Sequence, residues 1–294
     1  MNTLSLENRA AVVTGSSRGL GRAIARGLAE AGASVVINGT DAASTQATVD
    51  VIREQGGTAV ACVGSIADAK FCEDLIAQCV ESFGTIDVLV NNAGVTRDRS
   101  LVKMTPEEFD TVTNIHLRGT WACSGAAARA MRETGGSIVN VASGSGLFGM
   151  FGQSNYAAAK AGIIGLSRVM TMELARFGVR TNVIAPVART GMTDIFYNAA
   201  DGAGEGGVGH ASPFPPAETV APIVTFLAGP ASAHIGGQIL SFDGSTLSVW
   251  SHPEATSTWE LDRVWGTEDF AGLLTDEVLQ YPHPDKWGSG VQAP

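Results

Sequence analysis

The residues best suited to move a proton are Tyr156 and Lys160, four apart in the run Asn155-Tyr156-Ala157-Ala158-Ala159-Lys160. On a helix this spacing puts both side chains on one face, one turn apart. An ammonium beside a phenol favours the phenolate, so Tyr156 is expected to titrate below its ordinary value of about 10. A phenol tuned in this way exchanges a proton with an alcohol oxygen near neutral pH. Ser143 closes the apolar run Ser137-Ile-Val-Asn-Val-Ala-Ser143, which reads as a strand. A hydroxyl at that strand end could bond the same oxygen, where charge develops. Taken alone, the Tyr/Lys spacing also arises on amphipathic helices that do no chemistry. The elements that would carry these residues decide the matter.

The first of them lies at the N-terminus. Ala10-Ala-Val-Val-Thr14 reads as a short buried strand, followed by Gly15-Ser16-Ser17-Arg18-Gly19-Leu20-Gly21 and then a helix from Arg22 to Ala31 with Ile24 and Leu28 inward. Strand, glycine turn and helix form the context in which glycines let a backbone approach a pyrophosphate, and the helix start offers free N–H groups and positive dipole. Ser34 to Asn38 is a second strand, whose following residues Gly39 and Thr40 should meet an adenosine ribose. An acid there would bond the 2′-hydroxyl, yet the first acid is Asp41. Thr58 to Val63 is a third strand, Asp68 caps a helix running to Phe83, and Ile86 to Val90 is a fourth strand. Helices alternating with apolar strands predict a parallel sheet covered on both faces.

The glycine spacing GxxxGxG, Thr14, Asn91-Asn92-Ala93-Gly94 and the Ser143/Tyr156/Lys160 set together resemble the short-chain dehydrogenase/reductase family, from about Leu6 to Gly244. Shorter runs, Arg97-Asp98-Arg99-Ser100, His116-Leu117-Arg118-Gly119, Gly149 to Lys160 and Ile184 to Thr193, are similar to the (3R)-hydroxyacyl-CoA dehydrogenase unit of peroxisomal multifunctional enzyme type 2, also called 17β-hydroxysteroid dehydrogenase type 4, and its stand-alone bacterial relatives. The resemblance implies a single Rossmann-type doubly wound α/β domain of about seven strands, with a nicotinamide dinucleotide across the strand ends. It implies Tyr156 as general acid/base, Ser143 as the group that orients and stabilises the oxygen, and Lys160 as the cation beside the tyrosine and the ribose.

The implied dinucleotide contacts are Gly15, Ser17, Arg18, Gly19, Leu20 and Gly21 in the turn, Gly39 and Thr40 after the second strand, Ser65 and Ile66 after the third, and Asn92, Ala93 and Gly94 after the fourth. Tyr156, Lys160 and Thr190 complete the set. Arg18 falls where NADP-using members often carry a base, which favours NADP while leaving NAD open. The family's usual catalytic asparagine is replaced by His116, with Asn114 two residues earlier. We assign His116 a supporting role in a relay to Lys160 through water, against the alternatives that Asn114 compensates, that the relay is altered, or that His116 is a paired buried histidine.

Implied substrates are 3-hydroxyacyl/3-oxoacyl thioesters of coenzyme A, with 3-oxoacyl carrier protein or a hydroxysteroid as alternatives, and a silent dinucleotide sensor as the reading without catalysis. No metal is required. The stretch from about 188 to 216 is rich in glycine and proline and is expected to be a substrate lid. A helix from Tyr156 to Phe177, lined by Ala157, Ala161, Gly162 and Gly165, and another from Pro106 through Met131 are expected to pair in a homodimer or homotetramer. The catalytic domain is placed at 1–248. Residues 249–294 form an extension holding four of the five tryptophans, expected to cover the cleft or a subunit interface.

Composition closes off other classes. The chain has 294 residues, 45% hydrophobic and 16% charged, with 19 basic and 29 acidic residues for a net charge of -10. That balance argues against a nucleic-acid partner. The four cysteines Cys62, Cys72, Cys79 and Cys123 form no ligand cluster and suit a reducing compartment. With no signal-like N-terminus and no spanning apolar stretch, the expectation is a cytoplasmic protein without a membrane partner.

Overall fold

The computed structural model describes residues 4–188, 214–255 and 257–274. Two compact units are present, one ending at Trp250 and one beginning at Ser251. In the first, eight strands form one sheet: β1 (Ala10–Val13), β2 (Ser34–Gly39), β3 (Thr58–Val63), β4 (Val88–Asn91), β5 (Gly136–Val141), β6 (Val179–Pro186), β7 (Ile239–Phe242) and β8 (Leu247–Trp250). Their order across the sheet is β3-β2-β1-β4-β5-β6-β7-β8. Every pairing is parallel except that of β7 with β8. The central strand β1 sets the register, with Val12 opposite Val36 on one side and Leu89 on the other. Seven strands match the expected parallel sheet, and the antiparallel β8 is an addition to it.

The helices follow from the apolar faces that strands so deeply buried require. They are α1 (Gly19–Glu30), α2 (Ala42–Glu54), α3 (Ala69–Phe83), α4 (Pro106–Thr113), α5 (Gly119–Ala130), α6 (Gly144–Phe148), α7 (Ser154–Leu174) and α8 (Ala221–Ala228). Ile24 and Leu28 of α1 join Val35, Ile37 and Val224 in one core layer. Cys72, Leu75, Ile76 and Cys79 of α3 join Cys123 and Ala127 of α5 in the layer on the opposite face. Asp41 caps α2 through the Ser44 amide, and Asp68 caps α3 through the Lys70 amide. Thr105 and Glu108 form a reciprocal box at the start of α4.

Between α4 and α5 the expected single helix departs from regularity. Residues Asn114–Arg118 form a π-helical turn, in which the Gly119 amide reaches back to the Asn114 carbonyl. Such bulges insert a residue without ending the helix and recur at functional sites. Here the wider turn brings His116 inside, 1% exposed. At the far edge, Gly244 (φ +93°) helps the chain reverse from β7 into β8. Trp250 of β8 then packs against Phe148 of α6 with ring centroids 4.9 Å apart.

The second unit contains α9 (Thr267–Leu273). Asp269 accepts from the Arg263 guanidinium and the Gly266 amide, and Trp265 stacks on Phe270 at 5.3 Å. The greater part of the expected lid, and the residues beyond 274, lie outside the described residues.

Candidate active site

Where the strand order reverses between β1 and β4, a parallel sheet leaves a crevice at its carboxyl edge. A groove of about 500 Å³ lies there. Its floor is the turn from Gly15 to Gly21, and its walls are Gly39 and Thr40 after β2, Ser65 and Ile66 after β3, and Asn92, Ala93 and Gly94 after β4. All of these were expected from the sequence. Thr190 lies outside the described residues.

Backbone packing explains the glycines. Gly15 has φ +63°, and a Cβ there would sit 2.6 Å from the Ala93 Cα. A Cβ on Gly21 would sit 2.3 Å from the Gly15 carbonyl oxygen. No side chain caps α1, so its first amides remain available to an anion. Among the described residues lining the groove, the charged ones are Arg18 and Arg97, both cationic. In a protein of net charge -10 this is a local positive site. A bare glycine turn, an uncapped helix start and two guanidinium groups fit a dinucleotide phosphate.

Asn38 was read only as a marker near the ribose, and the structure gives it a larger part. It is 2% exposed, accepts from the Gly15 amide at 3.1 Å, and donates to the Cys62 and Gly64 carbonyls. It ties the glycine turn to the ends of β2 and β3. Thr14 Oγ1 accepts from the Asn92 and Ala93 amides at 2.9 and 3.0 Å, fixing the far wall. Val95, Thr96 and Ile115 also line the groove and carried no sequence signal, and Arg97, noted only in a run of resemblance, lines it too.

At the end of the groove stand the residues that could move a proton. Ser143 follows β5, Tyr156 and Lys160 share a face of α7, and His116 comes from the π-turn. The Ser143 hydroxyl acts on the Tyr156 phenol and favours its ionised form. Ser143 Oγ also accepts from the Ser145 amide at 3.2 Å. His116 meets Tyr156 edge to face, with ring centroids 5.0 Å apart. Its Nε2 lies 3.0 Å from the Val95 nitrogen and 2.8 Å from the Val95 oxygen, so either tautomer is held by the backbone of the same residue. Its buried Nδ1 has no hydrogen-bond partner among the described residues. A Cβ on Gly94 would fall 2.0 Å from this ring, so the imidazole needs the glycine beside it.

The electrostatics correct one expectation. Lys160 was expected to pull Tyr156 below its ordinary value, but Tyr156 is raised. Burial is the main cause, the Ser143 hydroxyl opposes it, and the Asp98 carboxylate adds to the rise. The reason lies in the lysine's own surroundings. Lys160 is 2% exposed, donates to the Val141 carbonyl at 2.6 Å, and is lowered by burial to about 7. It is a weak fixed charge, with its Nζ 5.5 Å from the tyrosine ring centroid. His116 is lowered to about 3 by burial and then by the Lys160 charge, so its imidazole is neutral. His116 is bonded to Val95, and Lys160 to the Val141 carbonyl.

Comparisons with known proteins agree with this geometry. The short chain dehydrogenase family profile matches residues 9–200. The chain is 40% identical over 292 residues to the hydroxyacyl-CoA dehydrogenase ChsB1 of Mycobacterium tuberculosis, covering 94% of this chain and 90% of that one. It is 44% identical over 210 residues to peroxisomal multifunctional enzyme type 2 of Drosophila melanogaster, covering 66% of this chain but 35% of that longer protein. The crystal structure of a short chain dehydrogenase from Mycobacterium avium superposes with a TM-score of 0.82 at 34% identity, covering 93% of this chain and 95% of that one. Because the matched span runs from the glycine turn through Lys160, this chain belongs to the short chain dehydrogenase family and is an NAD(P)-dependent oxidoreductase.

Proposed function

We propose that this protein interconverts 3-hydroxyacyl and 3-oxoacyl thioesters of coenzyme A. The observation that carries the reading is the meeting of Tyr156 with Ser143, His116 and Lys160, beside a glycine-turn groove that fits a dinucleotide. The thioester class is favoured by the likeness to a hydroxyacyl-CoA dehydrogenase along nearly the whole chain.

When bound, the dinucleotide supplies or accepts the hydride. The chain's own residues handle the proton. Ser143 already accepts from the Ser145 amide, so its own proton is left to face the substrate oxygen and the phenol. A phenol raised by burial stays protonated at neutral pH and can donate to an oxygen that gains charge during reduction. In the reverse direction it must first lose that proton, so oxidation is favoured by higher pH. Lys160, anchored on Val141 beneath the ring, sets the position of the α7 face and adds positive field near the phenol. His116 is assigned as a neutral support that holds the Val95 peptide and the tyrosine ring, not as a charged relay.

The same reading favours NADP over NAD. No carboxylate ends β2, where Asn38 and Gly39 stand, and a Cβ on Gly39 would collide with Ser17 and Thr45 hydroxyls at 2.7 and 2.6 Å. Asp41 turns instead to the Ser44 amide, within the field of Arg18. The arrangement leaves Arg18, Ser17 and Thr40 to meet a 2′-phosphate. A homo-oligomer through α5 and α7 also fits, since Trp121 and Met172 are 59% and 73% exposed and the space beside Gly165 is open. Gly162 serves a different end, packing on Leu117 within the subunit.

The test is absorbance of the reduced nicotinamide with acetoacetyl-CoA, using NADH and NADPH in parallel. Turnover, greater with NADPH, is expected. Silence with both cofactors, each still binding, would overturn the coenzyme A reading and turn attention to steroid or carrier-bound substrates.

A further inference from the structure

A chain of side chains, Ser145, Gln153 and Asp98, links Ser143 to the loop before α4. Gln153, the residue before α7, is 5% exposed. Its Oε1 accepts from the Ser145 hydroxyl at 2.8 Å, and its Nε2 donates to Asp98 Oδ2 at 2.7 Å. Ser145 in turn donates its amide to Ser143 Oγ. One amide side chain therefore joins the turn that carries Ser143 to the loop that carries Asp98. Two more contacts pin that loop to the start of α7. The Arg99 amide donates to the Gly152 carbonyl at 2.7 Å, and the fully buried Asn155 donates to the Arg97 carbonyl at 3.0 Å and the Glu108 carbonyl at 3.2 Å.

A buried primary amide that donates at one end and accepts at the other has a direction, and both of its partners here depend on that direction. Turned the other way, the NH2 would face the Ser145 hydroxyl and the oxygen would face a carboxylate, which cannot donate. The Asp98 charge therefore sets the amide, and the amide holds both Ser145 and the carboxylate in place.

We propose that Gln153 is a positioning residue for the hydride-transfer reaction, holding the Asp98 carboxylate beside Tyr156 and the Ser143 hydroxyl at its strand end through one hydrogen-bonded chain. The carboxylate opposes ionisation of the phenol, so its placement adds to the effect of burial on the pH at which the enzyme changes from proton donor to proton acceptor. The other groups facing the phenol are Ser143 at the end of β5, the neutral His116 on the π-turn and Lys160 on α7. Of these and Asp98, the carboxylate is the one negative charge. The loop's own cations are engaged elsewhere, Arg99 with Glu108 and Arg97 with the Thr96 carbonyl.

The proposal rests on Tyr156 being the proton-moving group, but its deciding titration needs no substrate. The chain has three tyrosines, Tyr156, Tyr197 and Tyr281. The tyrosinate ultraviolet band of the full chain, titrated with pH and corrected by the Tyr156→Phe spectrum, isolates Tyr156. Asp98 is exposed, so Asp98→Asn keeps the fold, and its Tyr156 should titrate at lower pH than in the parent. Gln153→Leu, which releases the carboxylate, should shift the same way. Gln153→Glu sets a second carboxylate against Asp98 and should cut kcat about tenfold or more, a factor equivalent to about 1.4 kcal/mol of barrier, with dinucleotide affinity retained.

If the Asp98→Asn titration superimposes on the parent, the proposal fails. It fails equally if Gln153→Leu lowers thermal stability alone and leaves the Tyr156 titration where it was. Absence of acetoacetyl-CoA turnover would instead count against the thioester reading, and the titration would still decide this one.

Discussion

His116 stands edge-on to Tyr156, their planes at 89° and their ring centroids 5.0 Å apart. A histidine this close to a proton-moving phenol would be a natural second acid, but burial holds its own pKa near about 3. The ring is thus a neutral wedge between the Val95 peptide and the tyrosine. Its Cε1 proton resonance should stay fixed between about pH 5 and 8, the range where an ordinary imidazole titrates. A titrating His116 signal in that range would return it to the candidates for proton transfer.

Removing the phenol oxygen tests the central assignment. Tyr156→Phe keeps the ring that packs on His116 and the Lys160 stem, so dinucleotide affinity measured by fluorescence titration should hold. Turnover should fall by about 10²–10⁴-fold, the usual worth of a positioned proton donor. Full activity in this variant would dismiss Tyr156 as the acid.

Lys160 makes a prediction about stability. In the unfolded chain its ammonium titrates near about 10.4, and in the folded protein near about 7. Between those values the unfolded chain holds the extra proton, so stability rises with pH across this window. Below it both states are protonated and the full cost of burying the charge is present. Without dinucleotide, melting temperature measured relative to Lys160→Met should climb from about pH 7 to about pH 9. A constant difference between the two proteins would mean that Lys160 keeps its proton when buried.

Arg18 is exposed at the mouth of the glycine turn and lies near Asp41. Arg18→Ala should raise the KM for NADPH about tenfold, a loss of about 1.4 kcal/mol, and change the KM for NADH little. Equal losses for both cofactors would place the guanidinium on the shared pyrophosphate instead.

Much of this site was legible because its constraints are local. A turn that must pass between Ala93 and its own helix admits only glycine, and such a requirement is written directly into Gly15 and Gly21. Tyr156 and Lys160 were legible because helix periodicity alone puts them on one face. The sign of the Tyr156 shift was not, because it depends on how deeply both groups are buried and on Asp98, a residue from another loop. The π-turn at Asn114–Arg118 left no trace in the apolar period, since one inserted residue looks like ordinary drift along a helix. The eighth strand did leave a signal. Leu247, Val249 and Trp250 are apolar and of strand-forming type, although Leu247 and Val249 are exposed. It was overlooked because four residues are too few to separate strand from tail.

The Phe148–Trp250 contact bears on the order in which the molecule can be built. The strands β1 to β4, which shape most of the dinucleotide groove, are complete in the first third of the chain. The turn that holds Ser143 rests in part on a tryptophan made far later, on the last strand to join the sheet. Synthesis proceeds from the N-terminus, so the groove residues emerge before this tryptophan does. Part of the support for the serine's turn is therefore synthesised only after the residues of both the cofactor groove and the proton-moving set.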